Sequence, residues 1–302
     1  QMKNKQAIIG ALAVIFASIM WGFDGIVLTP RLFNLDVIFV VFMLHLIPFV
    51  IMNLFLYKEY RHMRNFTYGD VFFLFLIAMF GGILGTVSIV KALFLVNFKH
   101  LTVVVLLQKL QPVFSIALAA IILGERIRRR FVLWAGVAIA ASYFLVFGFQ
   151  LPRIDADHET AQAAFFALLA AFAFGSSTVF SKKILNKYSF HTGTFYRYGF
   201  TSLILLLVVV ISGRTGQFDL ITTNNWIYFL IIAFTTGSGA IFLYYFGLIR
   251  IRAVLATMCE LFFPLSAIVF DYIFNGKLLN PVQWVAAALM IFAIIQLNRN
   301  KR

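Results

Sequence analysis

Ten apolar stretches of roughly twenty residues follow one another along this chain, at 7–28, 37–57, 71–94, 101–123, 131–149, 161–180, 190–211, 226–249, 253–274 and 282–297. Each is close to the ~20 residues a helix needs to cross a hydrocarbon layer of about 30 Å. The loops between them are a few residues long, apart from 58–70 and 213–225 and a join at 150–160. With 62% hydrophobic and 12% charged residues and a mean hydropathy of +0.95, the chain has too little polar surface to coat a soluble domain of 302 residues. Ten-residue segments of strict apolar–polar alternation do not occur, so the expected fold is an all-α integral membrane protein and not a β-barrel.

A net charge of +14 would suit nucleic acid in a soluble protein, but here its distribution points to a bilayer. With the N-terminus inside, the cytoplasmic segments hold seventeen Lys and Arg residues and the outer segments five: Arg31, Lys99, Arg153, Arg214 and Lys277. This bias places both termini in the cytoplasm, and nucleic acid is not expected as a partner. The first stretch is a full span followed by Asp24 and Arg31, without a small-residue cleavage site, which reads against a removed leader. The single cysteine, Cys259, can form no disulfide within the chain.

The stretch 101–124 recurs at 253–276 without a gap. A shift of 152 positions places Pro112 on Pro264, Ile116 on Ile268 and Gly124 on Gly276, and farther upstream Gly85 on Gly237 and Phe94 on Phe246. Trp21-Gly22 is echoed by Phe174-Gly175, and His45 by Arg197. Helices one to five (residues 1–149) and six to ten (residues 150–302) therefore read as repeats. Because five is odd, the second copy must enter the membrane from the opposite side, giving two inverted halves. The join, QLPRIDADHET, is too short to separate them as independent domains.

Polar groups inside the duplicated stretch mark the expected site. Glu260 lies four residues before Pro264, which removes a helical donor and frees the Glu260 carbonyl. A carboxylate at this depth costs roughly 3 kcal/mol on insertion scales, so it should face a cavity or a partner. It would bind a cationic group or take up a proton; the bland alternative is a structural acid between helices. Gln108 is its repeat mate, with Lys109 and Gln111 close by. Lys109 opposite Glu260 would separate around a zwitterion, unless it merely snorkels. Arg197, between Tyr196 and Tyr198, suits a carboxylate or phosphate, or else sits in an aromatic belt. His45 reads as an interhelical hydrogen-bonding group more readily than as a proton relay. Trp21 and Asp24, with Tyr244, Tyr245 and Phe246, would form an aromatic wall beside an acid, suited to a quaternary ammonium. Pro112, Pro264, Gly85 and Gly237 are expected to break or hinge the helices, with tight packing as the alternative for the glycines.

Five helices repeated in inverted order, a proline midway in the fourth, and Gly124-Glu125-Arg126 closing it before a fifth helix with Trp134 resemble the EamA family of the drug/metabolite transporter superfamily. The second half departs from the pattern, with Gly276-Lys277-Leu278 where the acid would stand. The resemblance implies a secondary carrier in the cell membrane, working by alternating access, with its cavity between the first four helices of each half and helices five and ten behind. The expected substrate is a small polar metabolite, an amino acid or similar amphipathic compound, coupled to protons or another gradient and typically exported. A choline-like cation is the alternative, against which Lys109 weighs by repulsion. A lipid-modifying enzyme is disfavoured, because no paired metal-ligand spacing or Ser–His constellation recurs, and ATP hydrolysis is not expected, because no GxxxxGK[ST] loop occurs. No metal or cofactor is expected. Small residues in helix five, Ala135-Gly136 and Ala138 to Ala141, fit either a monomer or a homodimer.

Overall fold

A computed structural model of the chain describes residues 2–95, 104, 107–108, 110–149, 158–276 and 280–299. Among the described residues the regular structure is entirely helical. The α-helices are α1 (Met2–Phe23), α2 (Val37–Leu56), α3 (Tyr68–Ile77), α4 (Gly85–Leu95), α5 (Gln111–Ile122), α6 (Arg129–Phe147), α7 (His158–Leu185), α8 (Phe190–Ile211), α9 (Thr223–Phe234), α10 (Ser238–Leu248), α11 (Ala253–Cys259), α12 (Phe262–Asn275) and α13 (Pro281–Arg299). Each of the ten apolar stretches holds described helix, and seven helical runs are long and apolar enough to cross a membrane: Lys5–Leu32, Val37–Asn65, Tyr68–Leu95, Ala161–Leu185, Phe190–Ile211, Thr223–Leu248 and Ala253–Phe274. Gln111–Ile122 and Pro281–Leu297 are apolar but shorter.

Several runs are not regular, and two of the irregular places are related by the 152-residue shift. A π-helix, Ala78–Leu84, joins α3 to α4. At the corresponding position of the second half α9 stops at Phe234 and α10 starts at Ser238, with Gly237 at φ −84° and ψ −104° between them. Here Gly237 N–H reaches back to Ile232 O (2.7 Å) and Ala240 N–H to Thr235 O (2.8 Å), five residues each, the spacing of a π-turn. The run 253–274 is broken at Glu260 and Leu261. Pro264 has no N–H to offer Glu260 O, which accepts instead from Phe263 N–H at 2.9 Å in a tighter turn. In α1 the helical path runs past the expected end through a π-turn, Asp24–Leu28, and a 3-10 turn, Thr29–Leu32, that has Pro30 at its start.

Packing joins helices from distant parts of the chain. α1 lies against α10 and α12, and α7, its repeat mate, against α4 and α5. α2 packs on α8, and α6 on α13. Two mate glycines make the close approaches possible. A Cβ on Gly22 would stand 3.0 Å from Phe263 O and 2.1 Å from Ser266 Oγ, and one on Gly175 2.8 Å from Gln111 O and 3.1 Å from Ser115 N. Small residues of this kind let backbones meet where lipid supplies no hydrophobic drive between helices. Two bundles result: α1 with α10–α12, and α7 with α3–α5, each drawing helices from both halves of the chain. Loops tie the ends. Asp36 caps α2 and pairs with Arg214 at 3.0 Å, while Asp70, within the capping box that starts α3, accepts from Lys187 Nζ at 2.8 Å and Tyr188 OH at 2.9 Å.

Candidate transport cavity

A cavity of about 280 Å³ lies between the two bundles. Aromatic side chains form part of its wall. Trp21 of α1 and its repeat mate Phe174 of α7 both line it, as does Tyr244 of α10, whose ring centroid is 5.3 Å from that of Trp21.

Glu260 lines the cavity at the break between α11 and α12, where the tightened turn presents its side chain. It accepts from Gln111 Nε2 at 2.5 Å and from Tyr244 OH at 2.7 Å, and the Tyr244 hydroxyl also bonds Thr178 Oγ1 at 2.8 Å. Gln111 and Thr178 belong to the other bundle, so the carboxylate sits in a hydrogen-bonded seam between them. Gln108 lines the cavity, but Gln111, three residues on, is the amide that reaches Glu260. Pro112 and Pro264 face the cavity beside these two groups. Lys109 and the side chain of Asp271 lie outside the described residues, as does Lys277.

Arg197 forms the second polar centre. It is 7% exposed, lines the cavity, and has no carboxylate partner among the described residues. Its Nη1 donates to Tyr245 OH at 3.2 Å and its Nη2 to Gly81 O at 3.0 Å, a carbonyl of the π-helix, while Nε has no partner among the described residues. Tyr245 is fully buried and bonded to Ser181 Oγ at 2.6 Å. The expected wall of Tyr244, Tyr245 and Phe246 is thus corrected. Successive helical residues point ~100° apart; only Tyr244 reaches the cavity, Tyr245 supports Arg197, and Phe246 sits under Arg250 at 3.6 Å. The Arg197 guanidinium is bonded within the helix packing.

Asp24 lines the cavity from the π-turn that follows α1 and accepts from Thr29 Oγ1 and Thr236 Oγ1, both at 2.8 Å. Thr236 lies in the break between α9 and α10, so Asp24 fastens that break to α1. His45 faces the cavity with Nδ1 2.8 Å from Val41 O and its ring 5.1 Å from Tyr198. Gly237 lines the cavity within the break, whereas Gly85 packs against the Phe174 ring at the end of the π-helix.

Sequence reasoning missed the hydroxyls. Ser177 and Thr257 line the cavity with Oγ atoms that are buried and have no partner among the described residues. A buried hydroxyl without a bond costs roughly 1–3 kcal/mol unless a ligand or water meets it. The one available signal was the position of Ser177 and Thr178 two and three residues after the helix-packing Gly175.

Among the described residues there is no His, Cys, Asp and Glu cluster able to hold a metal. Two segments, 8–147 and 161–299, each match the EamA-like transporter family. The chain belongs to the EamA family. It is 53% identical over 291 residues to the riboflavin transporter ImpX of Fusobacterium nucleatum subsp. nucleatum, an alignment covering 96% of this chain and 97% of that protein. A solved crystal structure at 16% identity superposes with a TM-score of 0.63 over 95% of this chain and 96% of the other, a likeness of fold. This EamA protein is therefore a multi-pass transporter of a small metabolite in the cell membrane, not an enzyme.

Proposed function

We propose that this EamA protein carries a neutral, fused-ring metabolite of the flavin type, riboflavin first among candidates, by alternating access between two inverted five-helix halves with both termini cytoplasmic. The observation that carries the substrate reading is the wall chemistry: aromatic faces from both halves, Trp21 and Phe174, bordered by the neutral amides and hydroxyls of Gln108, Ser177 and Thr257. A planar heterocycle stacks on such faces, and its carbonyls and side-chain hydroxyls meet the unpartnered groups. The name of the 53%-identical relative supports the same class. The paired packing of α1 with α10 and α12 and of α7 with α4 and α5 supports the inverted repeat. The basic residues of the segments between helices support the orientation.

Glu260, bonded across both bundles, is the proposed proton-coupling group, since a carboxyl there can change charge as the bundles part. An amino acid remains the second reading, because Asp24, Glu260 and Arg197 all face the cavity with charges of both signs. Uptake into proteoliposomes distinguishes the two. Saturable riboflavin flux that excess amino acids leave unchanged is the expected result. Amino-acid counterflow without riboflavin flux would replace the flavin reading.

A further inference from the structure

The two bundles meet at a second place, on the membrane face where α5 ends and α11 begins. Glu125, just after α5, accepts from the backbone N–H of Ala253 with one oxygen at 2.8 Å and of Val254 with the other at 3.2 Å. Lys182 of α7 donates through Nζ to the carbonyls of Leu248 at 2.8 Å and Ile249 at 3.1 Å, at the end of α10. Both grips come from the bundle of α7 and α3–α5, and both land on the elbow that joins α10 to α11 in the other bundle. The acid lies at a helix start and the base at a helix end, so each charge complements the partial charge of the backbone it meets. Neither side chain lines the cavity.

The duplication makes this clamp one-sided. A shift of 152 takes Glu125 to Lys277, and the shift of 153 that relates Gly22 to Gly175 takes Lys182 back to Thr29. An ammonium cannot accept an amide N–H. Thr29 carries no charge and spends its hydroxyl on Asp24. The chemistry of the clamp is thus written at one of the two repeat-related elbows only.

We propose that Glu125 and Lys182 are positioning residues of the transport cycle, locking the bundles together on the cytoplasmic face so that the resting carrier presents its cavity to the opposite side. Opening the cytoplasmic face requires these four hydrogen bonds to break; substrate and coupling ion must supply the difference. The proposal rests on the transporter assignment and on the cytoplasmic orientation, but not on the identity of the substrate.

Thiol labelling from each face tests it. Thr86 lines the cavity, and Thr86→Cys in a Cys259→Ala background gives a single reporter for a membrane-impermeant reagent, applied to right-side-out or inside-out vesicles. In the parent, labelling is expected to be fast from outside and slow from the cytoplasmic face. Loss of a charge-assisted hydrogen bond should shift such an equilibrium about tenfold. Glu125→Gln and Lys182→Met should therefore each raise cytoplasmic labelling by about that factor and lower outer labelling, and Lys182→Arg should restore the parent pattern. Labelling rates that stay unchanged on both faces in folded Glu125→Gln and Lys182→Met proteins would overturn the clamp. If Glu125→Gln does not insert, the Lys182 pair decides alone. Rates that respond to both substitutions with the faces exchanged would uphold the clamp and overturn the orientation. Absence of riboflavin flux would count against the flavin reading and leave these rates untouched.

Discussion

Replacing Glu260 by Gln separates the charge at the cavity seam from its shape. The carboxylate accepts from Gln111 Nε2 at 2.5 Å and from Tyr244 OH at 2.7 Å. A glutamine in its place keeps an oxygen for Tyr244, and Gln111 can turn its amide to offer an oxygen to the new NH₂. Both bonds survive as neutral ones. Bonds to a charged group are worth about 1.5–3 kcal/mol and neutral ones about 0.5–1.5, so the two together lose on the order of 2 kcal/mol. Against this stands the relief of a buried charge, which offsets part of the loss. The variant should insert, fold and bind substrate, but it has no carboxyl to exchange a proton. In proteoliposomes, Glu260→Gln is expected to retain substrate counterflow and to lose accumulation driven by a pH gradient. Undiminished accumulation with the parent's pH profile would show that Glu260 holds the seam together without coupling transport. Loss of counterflow and driven uptake alike, in a folded protein, would place it in substrate binding instead.

Three further substitutions probe the cavity and its frame. Trp21→Ala removes one aromatic face and its contact with Tyr244; riboflavin affinity, followed by quenching of flavin fluorescence, should fall about tenfold, since an aromatic pair is worth ~0.5–1.5 kcal/mol beyond its buried area. Gly175→Ala puts a methyl 2.8 Å from Gln111 O, a backbone atom that cannot swing away; a loss of about 1–3 kcal/mol is expected from overpacking, read as a lower unfolding temperature in detergent. Asp70→Asn keeps a cap for α3 but leaves Lys187 without its ion-pair partner. Because the Lys187 side chain is 54% exposed, the cost should stay within about 1 kcal/mol by the same measurement, and a larger loss would mean that the loop contact organises the bundle.

The sequence made the helices legible because lipid permits little else, and the shared register of Pro112 and Pro264 is what suggests two related halves. Glu260 and Arg197 stood out since an ion at that depth is costly unless the fold accommodates it. The hydroxyls did not stand out, for a physical reason. Serine and threonine in a membrane helix can bond a carbonyl one turn back, as Ser18 does with Val14 O, Ser176 with Phe172 O and Thr194 with Phe190 O. Only packing distinguishes Ser176, satisfied in this way, from Ser177 beside it, which is not. The direction of Tyr245 was hidden likewise. A helix of almost uniform hydrophobicity carries no amphipathic signal to say which face meets the cavity. The role of Glu125 depended on a backbone more than 120 residues away, a contact no local pattern encodes.

The bundle of α1 with α10–α12 is completed only late in synthesis. Gly22 is made 241 residues before Phe263, the residue whose carbonyl it packs against. At translation rates of about 5–20 residues per second, α1 waits on the order of 10–50 s in the bilayer before α12 exists. During that interval its glycine face can meet only lipid or the wrong helix. α1 therefore has to persist as a separately inserted rod, held by hydrophobicity and not by its native neighbours. A truncated first half should accordingly insert but remain sensitive to protease and prone to pairing with copies of itself, and supplying residues 150–302 as a second polypeptide should rescue it.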